Sequence, residues 1–389
     1  MFEICKKQDC TACYACINSC PQACISMAED KYSALYPVID NERCIHCDIC
    51  RSVCPSCTPP DFRQPKKTYA AYALTEEIHN TSASGGVTAL LAAHTICCGG
   101  VVYGSAMGGD LKTAFIRCNK AEQLPSLQGS KYVHSHVNFQ LNSVKEDLEN
   151  GKAVLFIGTP CQVAGLLGFL RGKTYGNLVT VDIVCHGVPT EKTFLSYSQA
   201  VLKKHFASAD NATFRNGNDY ALSYYENGKA ILSRQWRHDE YLTAFLEGNI
   251  FRENCYSCSY ATSQRVSDIT LGDFWGLHAE EIDRSQVAKG INAVLINTEK
   301  GQALFDGVSE ALYFIPRDTE EAVMGNAQLR HPAKKTVAAE AFQRLCKNVT
   351  PAKALLRYSK RHTLLCKLRR LANGNPVTRV LAARIPFLK

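Results

Sequence analysis

Cysteine is the residue whose spacing in this chain most directly indicates chemistry. The pattern Cys-x2-Cys-x2-Cys-x3-Cys-Pro occurs at residues 10–21 and again at residues 44–55. Three thiolates at these intervals can bind one face of an iron–sulfur cube, while the fourth, followed by proline, reaches the other cube of a pair. The repeat therefore predicts two crossed 4Fe-4S clusters. The predicted ligands are Cys10, Cys13, Cys16 and Cys54 for the first cluster, and Cys44, Cys47, Cys50 and Cys20 for the second.

Zinc sites and disulfides are the competing interpretations of these cysteines. Structural zinc needs only four ligands in paired Cys-x2-Cys units, and a disulfide framework does not repeat a metal-ligand spacing. The doubled motif resembles bacterial two-cluster ferredoxin domains over about the first 58 residues, which implies an α+β ferredoxin-like domain at residues 1–58. The stretch that follows is rich in proline and polar residues and has no periodicity, so we predict a linker at residues 59–68.

Four further cysteines lie where a third redox site could form. Cys161 and Cys185 each follow an apolar run that predicts a strand, and open α/β sheets place their sites just past the carboxyl ends of strands. Cys255 and Cys258 form a Cys-x2-Cys pair in a predicted loop. The four thiols could bind a third cluster, but the pair alone could also form a redox-active disulfide or bind zinc. The residues alone leave these alternatives open.

Small hydroxyl and glycine residues precede a predicted helix and could bind an anion. The residues concerned are Ser82, Ser84, Gly85 and Gly86. Backbone N–H groups at a helix start attract phosphates, but serine and glycine at this position also act as a simple cap. Lys131 could supply a positive charge to the same phosphates, or it could be a solvated loop lysine.

Short apolar runs that alternate with amphipathic stretches must position these residues. The runs with the composition of buried strands are 101–103, 114–116, 153–157, 178–184 and 291–296. Strands that are apolar throughout are buried on both faces, so we predict an α/β domain with a mostly parallel sheet. Between residues 211 and 235, three runs separated by turn residues predict an inserted antiparallel meander.

The composition of the whole chain is that of a globular protein. Its 389 residues are 46% hydrophobic and 21% charged, which favours two or three domains. Twenty cysteines without a signal peptide favour a reducing cytoplasm. The most apolar run, residues 87–98, is shorter than a membrane-spanning helix, so we predict no transmembrane segment.

The net charge of +8 is concentrated at the carboxyl terminus. Residues 355–389 carry nine basic side chains and no acidic one. We predict a basic helical tail over residues 346–389, which is either a solvated terminal segment or an amphipathic helix on an anionic membrane. Its few aromatic residues argue against nucleic acid as a partner.

Six motifs of the α/β part occur in an order that resembles the beta subunit family of coenzyme F(420) hydrogenases and dehydrogenases. The resemblance covers about residues 68–345. The motifs are Ser84-Gly-Gly86, Gly129-Ser-Lys-Tyr132, Gly158-Thr-Pro-Cys-Gln162, Cys185-His-Gly-Val-Pro189, Cys255-Tyr-Ser-Cys258 and Ser267-Asp-Ile-Thr-Leu-Gly-Asp-Phe-Trp-Gly276. Members of that family bind FAD and a 4Fe-4S cluster, and they pass electrons between a hydride carrier and iron–sulfur centres.

This resemblance implies that residues 69–345 form an oxidoreductase domain with FAD and a third cluster. The implied FAD contacts are the helix start at Ser84, Lys131 and the turn at Thr159, and the implied cluster ligands are Cys161, Cys185, Cys255 and Cys258. Asp268 and Asp273 lie in a predicted strand and turn that could line the flavin or the substrate, although an aspartate can also merely cap a turn. His186 could transfer a proton or could be a structural histidine.

The sequence therefore predicts a cytoplasmic iron–sulfur flavoprotein that couples hydride transfer at FAD to one-electron transfer through 4Fe-4S clusters. Its predicted partners are a one-electron partner protein, either a ferredoxin or a redox enzyme, and a soluble hydride carrier or small organic substrate. The carrier could be of the coenzyme F(420) type or NAD(P)H. The alternative is a non-catalytic electron shuttle, for instance in surface polysaccharide biosynthesis, with the tail on the inner face of the membrane.

Overall fold

The computed structural model describes residues 3–215 and 219–357. The strands are β1 (Ile25–Glu29), β2 (Leu35–Ile39), β3 (Lys67–Ala73), β4 (Val101–Met107), β5 (Thr113–Cys118), β6 (Val154–Gly158), β7 (Leu178–Ile183), β8 (Asn211–Thr213), β9 (Ala221–Glu226), β10 (Lys229–Gln235), β11 (Ile269–Asp273), β12 (Asn292–Ile296) and β13 (Leu312–Arg317). The α-helices are α1 (Ala15–Ser19), α2 (Ile49–Ser52), α3 (Glu76–Thr81), α4 (Val87–Cys97), α5 (Gln140–Glu149), α6 (Pro160–Phe169), α7 (Glu191–Lys204), α8 (Glu240–Leu246), α9 (Arg284–Lys289), α10 (Glu299–Asp306), α11 (Thr319–Gly325) and α12 (Val337–Cys346).

The cysteine-rich region folds as a β-hairpin with two short helices. Strands β1 and β2 pair antiparallel, with Ile25 opposite Ile39. Helices α1 and α2 each begin inside one copy of the cysteine motif, and the residue before each helix, Tyr14 or Asp48, has a positive φ of 65° or 59°. A left-handed backbone is uncommon for residues other than glycine. Its occurrence at the same motif position in both copies indicates that the two copies fold alike.

A mixed eight-stranded sheet forms the centre of the remaining chain, which we call the body. The strand order is β13-β3-β12-β11-β7-β6-β4-β5. Strands β11, β7, β6 and β4 run parallel, whereas β5 on one side and β12, β3 and β13 on the other pair antiparallel with their neighbours. The prediction of a mostly parallel sheet was therefore wrong for the outer strands. Apolar composition reports burial and not direction: β12 is buried throughout, yet it is antiparallel to both of its neighbours.

The sheet topology brings the ends of several strands to one edge, which we call the carboxyl edge. The carboxyl ends of β6, β7 and β11 lie there because these strands are parallel. The amino end of β12 joins them, since Asn292 pairs with Asp273. The carboxyl end of β3 follows, since Ala71 pairs with Asn292. Loops that are distant in sequence therefore meet at this edge.

The cysteine-rich region packs directly on α6 of the body. Cys13 and Val53 are buried in the same apolar core as Val163 of α6. Two glycines permit this close approach. A Cβ atom at Gly165 would lie 2.5 Å from the Cβ of Cys13, and one at Gly168 would overlap the carbonyl oxygen of Val53. A larger side chain at either glycine would therefore separate the two parts.

The predicted antiparallel meander is confirmed as a three-stranded sheet of order β10-β9-β8. Strands β9 and β10 are joined at Asn227 and Gly228, which both have positive φ. This is the turn chemistry that favours a tight hairpin. Phe194, Tyr224 and Tyr241 belong to the apolar core that includes this sheet and its covering helices.

The carboxyl-terminal part is helical as far as the structure describes it. Residues 351–357 are helical and follow α12 after a short turn. Most of the predicted basic tail, residues 358–389, lies outside the described residues. Within the described ranges, no helix combines the length and the apolar character needed to cross a membrane.

Candidate functional site

The first predicted set of thiols lines a single cavity in the cysteine-rich region, which we call the inner cavity. Its walls include Cys10, Cys13, Cys16 and Cys54. Three of these cysteines come from the first copy of the motif and one from the second, as the spacing predicted. A further thiol, Cys5, also lines the inner cavity, and the neighbouring Cys10 and Cys54 raise its pKa.

The second predicted set lines a separate cavity, which we call the outer cavity. Cys44, Cys47, Cys50 and Cys20 surround it, so that again three thiols come from one motif copy and one from the other. Cys24 is a further thiol of this cavity, with its Sγ 3.4 Å from the Sγ of Cys20. The structure thus brings the eight cysteines together in the crossed arrangement.

The four thiols of each set lie around a cavity and do not converge on a single metal position. Among the described residues, no group of three or more His, Cys, Asp or Glu side chains is arranged to hold a single metal ion. The four thiolates of a 4Fe-4S cube bind four different irons, so they do not need to converge on one position. Four thiols around each cavity therefore fit one cube each by donor type and by number.

The two cavities differ in their exposure to solvent. All four predicted ligands of the inner cavity are buried, whereas Cys47 of the outer cavity is exposed and Cys20 and Cys44 are half-buried. Burial raises the pKa of Cys13 to about 12. The Cys13 thiol is therefore neutral at pH 7 and loses its proton when it binds iron.

Four thiols of the body come together at the carboxyl edge, and we call them the third thiol group. Cys161 lies in the first turn of α6, directly after β6, and Cys185 follows β7. Cys255 lies in the 3-10 helix Glu253–Ser257, and Cys258 caps that helix. Burial raises the pKa of Cys161 well above its ordinary value, and the charges of Cys258, Cys185 and Cys255 add to this effect. These are the four residues implied for a third cluster.

Helix α6 connects the third thiol group to the inner cavity. Cys161 and Gly165 lie four residues apart on this helix, which is about 6 Å along its axis. Gly165 in turn contacts Cys13 of the inner cavity. Tyr260 belongs to the same apolar core as Cys13, and Cys161 packs against that core. Burial raises the pKa of Tyr260, and the charges of Cys161 and Cys13 raise it further. Phe62 stacks on Tyr260 with ring centroids 5.9 Å apart.

A buried ion pair fixes the loop that carries Cys258. Arg265 Nη2 and Asp182 Oδ1 are 3.1 Å apart, and both side chains are almost completely buried. Arg265 also donates a hydrogen bond to the carbonyl oxygen of Tyr260, two residues after Cys258. Asp182 belongs to β7 and precedes Cys185 by three residues. The pair therefore links the two chain segments that supply ligands to the third thiol group.

Asp273 and His186 lie at the carboxyl edge beside a buried arginine. Asp273 ends β11 and accepts a hydrogen bond of 2.7 Å from Arg215, whose side chain is 4% exposed. The ring of Tyr220 lies 5.1 Å from the guanidinium carbon of Arg215. Desolvation lowers the pKa of His186, Asp273 opposes this shift and Arg215 adds to it. A carboxylate, a guanidinium and an imidazole thus occupy the same part of the edge.

The predicted anion-binding loop also lies at the carboxyl edge, before α4. Gly86 is the N-cap residue of α4 with a φ of 82°. A Cβ atom at Gly85 would overlap the carbonyl oxygen of Ala71, so glycine is required for the loop to lie on the sheet. The N–H of Val87 donates to Asn292 Oδ1 at 3.2 Å. The first helical amide is therefore already bound by the protein.

The two serines of this loop differ in their contacts. Ser82 Oγ donates to the carbonyl oxygen of Ile78 at 2.7 Å and closes its own turn. Ser84 Oγ is buried and has no hydrogen-bond partner among the described residues. A buried hydroxyl without a partner is unfavourable, so Ser84 is the side chain of this loop that is best suited to a ligand.

Lys131 and Thr159 are bound to neighbouring protein groups. Lys131 Nζ donates to the carbonyl oxygens of Leu127 and Gln128 at 2.9 and 2.8 Å. Burial lowers the pKa of Lys131 to about 7. Thr159 is the N-cap residue of α6, and its Oγ1 lies 3.2 Å from the Sγ of Cys161. In this arrangement Thr159 orients a thiol of the third thiol group.

Asp268 lies at the opposite edge of the sheet from the other predicted site residues. It precedes β11, and its Oδ2 accepts hydrogen bonds of 2.8 Å from both the N–H and the hydroxyl of Thr180. Its Oδ1 accepts a bond of 2.7 Å from Thr298, the N-cap residue of α10. The structure therefore does not bring Asp268 to the carboxyl edge.

Sequence reasoning missed the buried arginines of this site. Arg252 precedes Cys255 by three residues and Arg265 follows Cys258 by seven. Their closeness to the cysteine pair was a signal that could have identified them. Arg215 had no comparable signal, because its partner Asp273 is 58 residues away in the chain.

Comparisons with known proteins agree with this division of the chain. Residues 9–57 match the model of the 4Fe-4S dicluster domain, and residues 151–322 match the model of the C terminus of the coenzyme F(420) hydrogenase/dehydrogenase beta subunit. The chain is also similar to one chain of a xenon-derivatised F(420)-reducing nickel–iron hydrogenase complex from Methanosarcina barkeri. That chain is 16% identical, the match covers 77% of this chain and 92% of that chain, and the TM-score is 0.46. No curated protein matches the chain.

The matched regions contain the three groups of thiols described above, apart from Cys5. The inner and outer cavities draw their eight predicted ligands from residues 9–57, and the third thiol group lies within residues 151–322. The chain therefore combines a region that matches the 4Fe-4S dicluster domain with a region that matches the C terminus of the coenzyme F(420) hydrogenase/dehydrogenase beta subunit.

Proposed function

We propose that this chain is an iron–sulfur flavoprotein oxidoreductase that couples hydride transfer at FAD to one-electron transfer through three 4Fe-4S clusters. When bound, FAD accepts a hydride as an electron pair and releases the electrons singly, whereas a 4Fe-4S centre accepts one electron at a time. In this proposal the cysteine-rich region is a ferredoxin-like domain that carries single electrons. The hydride is exchanged at the carboxyl edge of the body.

The observation that carries the proposal is the succession of three thiol groups joined by single helical turns. Cys16 of the inner cavity and Cys20 of the outer cavity are separated by one turn at α1. Cys161 of the third thiol group lies one turn from Gly165, which contacts Cys13 of the inner cavity. Neighbouring groups are thus about 6 Å apart along the chain that joins them. Such an arrangement suits a relay between the surface and the carboxyl edge.

FAD would bind along the carboxyl edge between the Ser84 loop and the turn at Thr159. Ser84 lies beside β12 and Thr159 follows β6, which are three strand positions apart in the sheet, or about 15 Å. An extended dinucleotide bridges such a distance and a single phosphate does not. The buried, unpartnered hydroxyl of Ser84 supports this placement. Lys131 would exchange carbonyl partners for phosphate oxygens, which stabilise its charged form.

The hydride carrier or organic substrate would bind beside His186 and Asp273. The pair with Arg215 holds the Asp273 carboxylate in one position at the edge. Because desolvation lowers the pKa of His186, its imidazole is neutral at pH 7 and could accept a proton from a bound substrate. The carrier could be of the coenzyme F(420) type or a nicotinamide, and a small organic substrate is the remaining class.

The outer cavity would exchange electrons with a one-electron partner protein. Its Cys47 is exposed, whereas all four predicted ligands of the inner cavity are buried. A partner that docks over Cys47 therefore approaches a cluster more closely than it could at the inner cavity. The proposed setting is the cytoplasm, where this number of thiols stays reduced. Contact between the basic tail and a membrane stays a prediction from the sequence.

Anaerobic purification followed by iron, sulfide and flavin analysis tests the proposal. We expect about twelve irons and one FAD per chain. Cys255→Ser should lose about four of these irons, while Cys97→Ser, a matched change of an exposed cysteine outside the three groups, should lose none. A protein with about eight irons and no flavin would instead support the alternative function, a simple electron shuttle.

A further inference from the structure

Arg252 connects the inner cavity to the third thiol group. Its guanidinium donates hydrogen bonds of 3.1 Å to the carbonyl oxygens of both Cys10 and Thr11 in the inner cavity. Its backbone carbonyl accepts a bond of 3.0 Å from the N–H of Cys255, and its own N–H donates to Val188 at 2.9 Å. One residue therefore contacts the chain segments that supply ligands to two of the three thiol groups.

The charge of Arg252 has no acidic partner in the described ranges. The residue is 4% exposed, its Nε has no hydrogen-bond partner, and no described carboxylate forms an ion pair with it. By contrast, the buried Arg215 and Arg265 each pair with an aspartate. A buried charge without a counter-ion is strongly unfavourable. Backbone carbonyl oxygens, including that of Leu35 at 3.1 Å, are the described hydrogen-bond partners of the guanidinium, so a nearby anion would stabilise its charge.

The thiol groups on either side of Arg252 can provide this anion. Cys10 and Cys255 lie on either side of Arg252, and each side chain becomes a negatively charged thiolate when it binds iron. A 4Fe-4S cube with four thiolate ligands is negatively charged, and it gains one further negative charge when it is reduced. Net charge near the cluster is one of the quantities that set its reduction potential.

We infer that the clusters of the inner cavity and of the third thiol group are the counter-ions of Arg252, and that its charge raises the reduction potential of both. For the third thiol group the inference rests on the proposed third cluster. A fixed cation in a buried position stabilises the more negative, reduced cluster, because little water is present to screen it. None of the described residues that line the outer cavity hydrogen-bonds with the Arg252 guanidinium, and Cys47 of this cavity is exposed. Arg252 thus favours the movement of electrons from the outer to the inner cluster.

The test is a comparison of Arg252→Gln, which removes the charge, with Arg252→Lys, which keeps it. The matched control is Arg43→Gln, because Arg43 donates to the carbonyl oxygen of Gln22 beside the outer cavity but is exposed. The potential of each cluster is measured on the full chain by anaerobic redox titration followed by electron paramagnetic resonance. Iron content is measured on the same samples.

We expect Arg252→Gln to lower the potentials of the inner and third clusters. At a fixed potential, the ratio of reduced to oxidised cluster should fall about tenfold, which corresponds to about 59 mV for a one-electron couple. For the outer cluster, the ratio of reduced to oxidised form should change by less than about twofold. In Arg43→Gln this ratio should change by less than about twofold for every cluster. In Arg252→Lys the reduction potentials of all clusters should stay close to those of the unmodified protein.

Unchanged inner potential in an Arg252→Gln protein with full iron content would overturn the inference. If Arg252→Gln loses iron, Arg252→Lys is the deciding variant. If Arg252→Lys keeps its iron and its reduction potentials, the charge of residue 252 is responsible. If Arg252→Lys also loses iron, the inference is refuted, and Arg252 acts by positioning the chain through hydrogen bonds. About eight irons in the unmodified protein would contradict the proposed third cluster. The inner cluster would still test Arg252 in that case, so the two failures are distinguishable.

Discussion

The two copies of the cysteine motif have the same local backbone but different surroundings. Tyr14 and Asp48, at equivalent motif positions, share a left-handed conformation that precedes a short helix. The inner cavity nevertheless lies against α6 and Arg252, whereas the outer cavity includes the exposed Cys47. The motif therefore determines how a cluster is held. The body against which each copy lies determines how that cluster is used.

The largest difference between the copies is expected from their equivalent cysteines Cys13 and Cys47. Either change to serine should remove about four irons. Cys13→Ser should also stop electron transfer between the surface and the carboxyl edge, since it interrupts the relay at its middle. Cys47→Ser should impair reduction by a protein partner, while a small-molecule reductant still reduces the inner cluster. Stopped-flow experiments with both kinds of reductant measure the rates of cluster reduction. Equal rates in the two variants would contradict the distinction between an inner and an outer cluster.

Gly165→Ala should damage the inner copy selectively. Alanine normally stabilises a helix interior by about 0.5–1 kcal/mol relative to glycine. Here its Cβ would lie 2.5 Å from that of Cys13, so we expect the free energy of unfolding to fall by about 1–3 kcal/mol. Gly176→Ala is the control, because nothing lies within 4 Å of its Cβ position. Urea unfolding measures the loss, and a more stable Gly165→Ala protein would contradict the described contact.

Asp147→Asn should weaken the support of the inner copy by α5. Asn142 of this helix hydrogen-bonds Asn18 at the end of α1 at 3.0 Å, and Asp147 holds the helix to Arg117 of the sheet at 2.6 Å. Burial alone would raise the pKa of Asp147, but Arg117, Tyr103 and other hydrogen bonds lower it to about 2. Its ionised form should therefore contribute about 2 kcal/mol above pH 4.

This contribution should disappear as the pH falls from about 4 toward 2, because the folded-state pKa of Asp147 is lower than the unfolded one. The difference in urea stability between the unmodified protein and Asp147→Asn, measured at each pH, isolates the effect from acid loss of the clusters. A difference that grows toward low pH would have the wrong sign for this mechanism.

The smallest effect is expected at the rim of the outer cavity. Ile45 is 59% exposed beside Cys44, and Ile45→Ser should change the free energy of unfolding by less than about 0.5 kcal/mol. It should nevertheless slow reduction by a protein partner, because it removes an apolar contact at the proposed docking surface. Leu74→Ser, an equally exposed leucine outside the cysteine-rich region, is the control. Equal rates in the two variants would argue against docking at the outer cavity.

The parts of the fold and site that could be predicted are those set by local sequence. The crossed grouping of Cys10 to Cys54 follows from spacing alone, and the hairpin at Asn227 and Gly228 follows from turn chemistry. The apolar runs located several central strands. They did not locate β3, which is rich in alanine, or β13, which contains Pro316 at the edge of the sheet.

Other features depend on contacts between distant residues, and no local pattern reports them. The direction of β12 is fixed by pairing with β3 and β11, not by its apolar composition. Asp268 and Asp273 stand five residues apart in one motif, yet they occupy opposite edges because β11 runs between them. The role of Arg252 likewise depends on carbonyl groups more than two hundred residues away.

The contact of Gly165 with Cys13 also bears on how the protein meets oxidants. All four predicted ligands of the inner cavity are buried, and Cys13 packs against α6, whereas Cys47 of the outer cavity is exposed. Dissolved oxidants therefore reach the outer thiols more readily than the inner ones. We expect oxidative loss of iron to begin at the outer cavity and to leave the inner cluster in place at first.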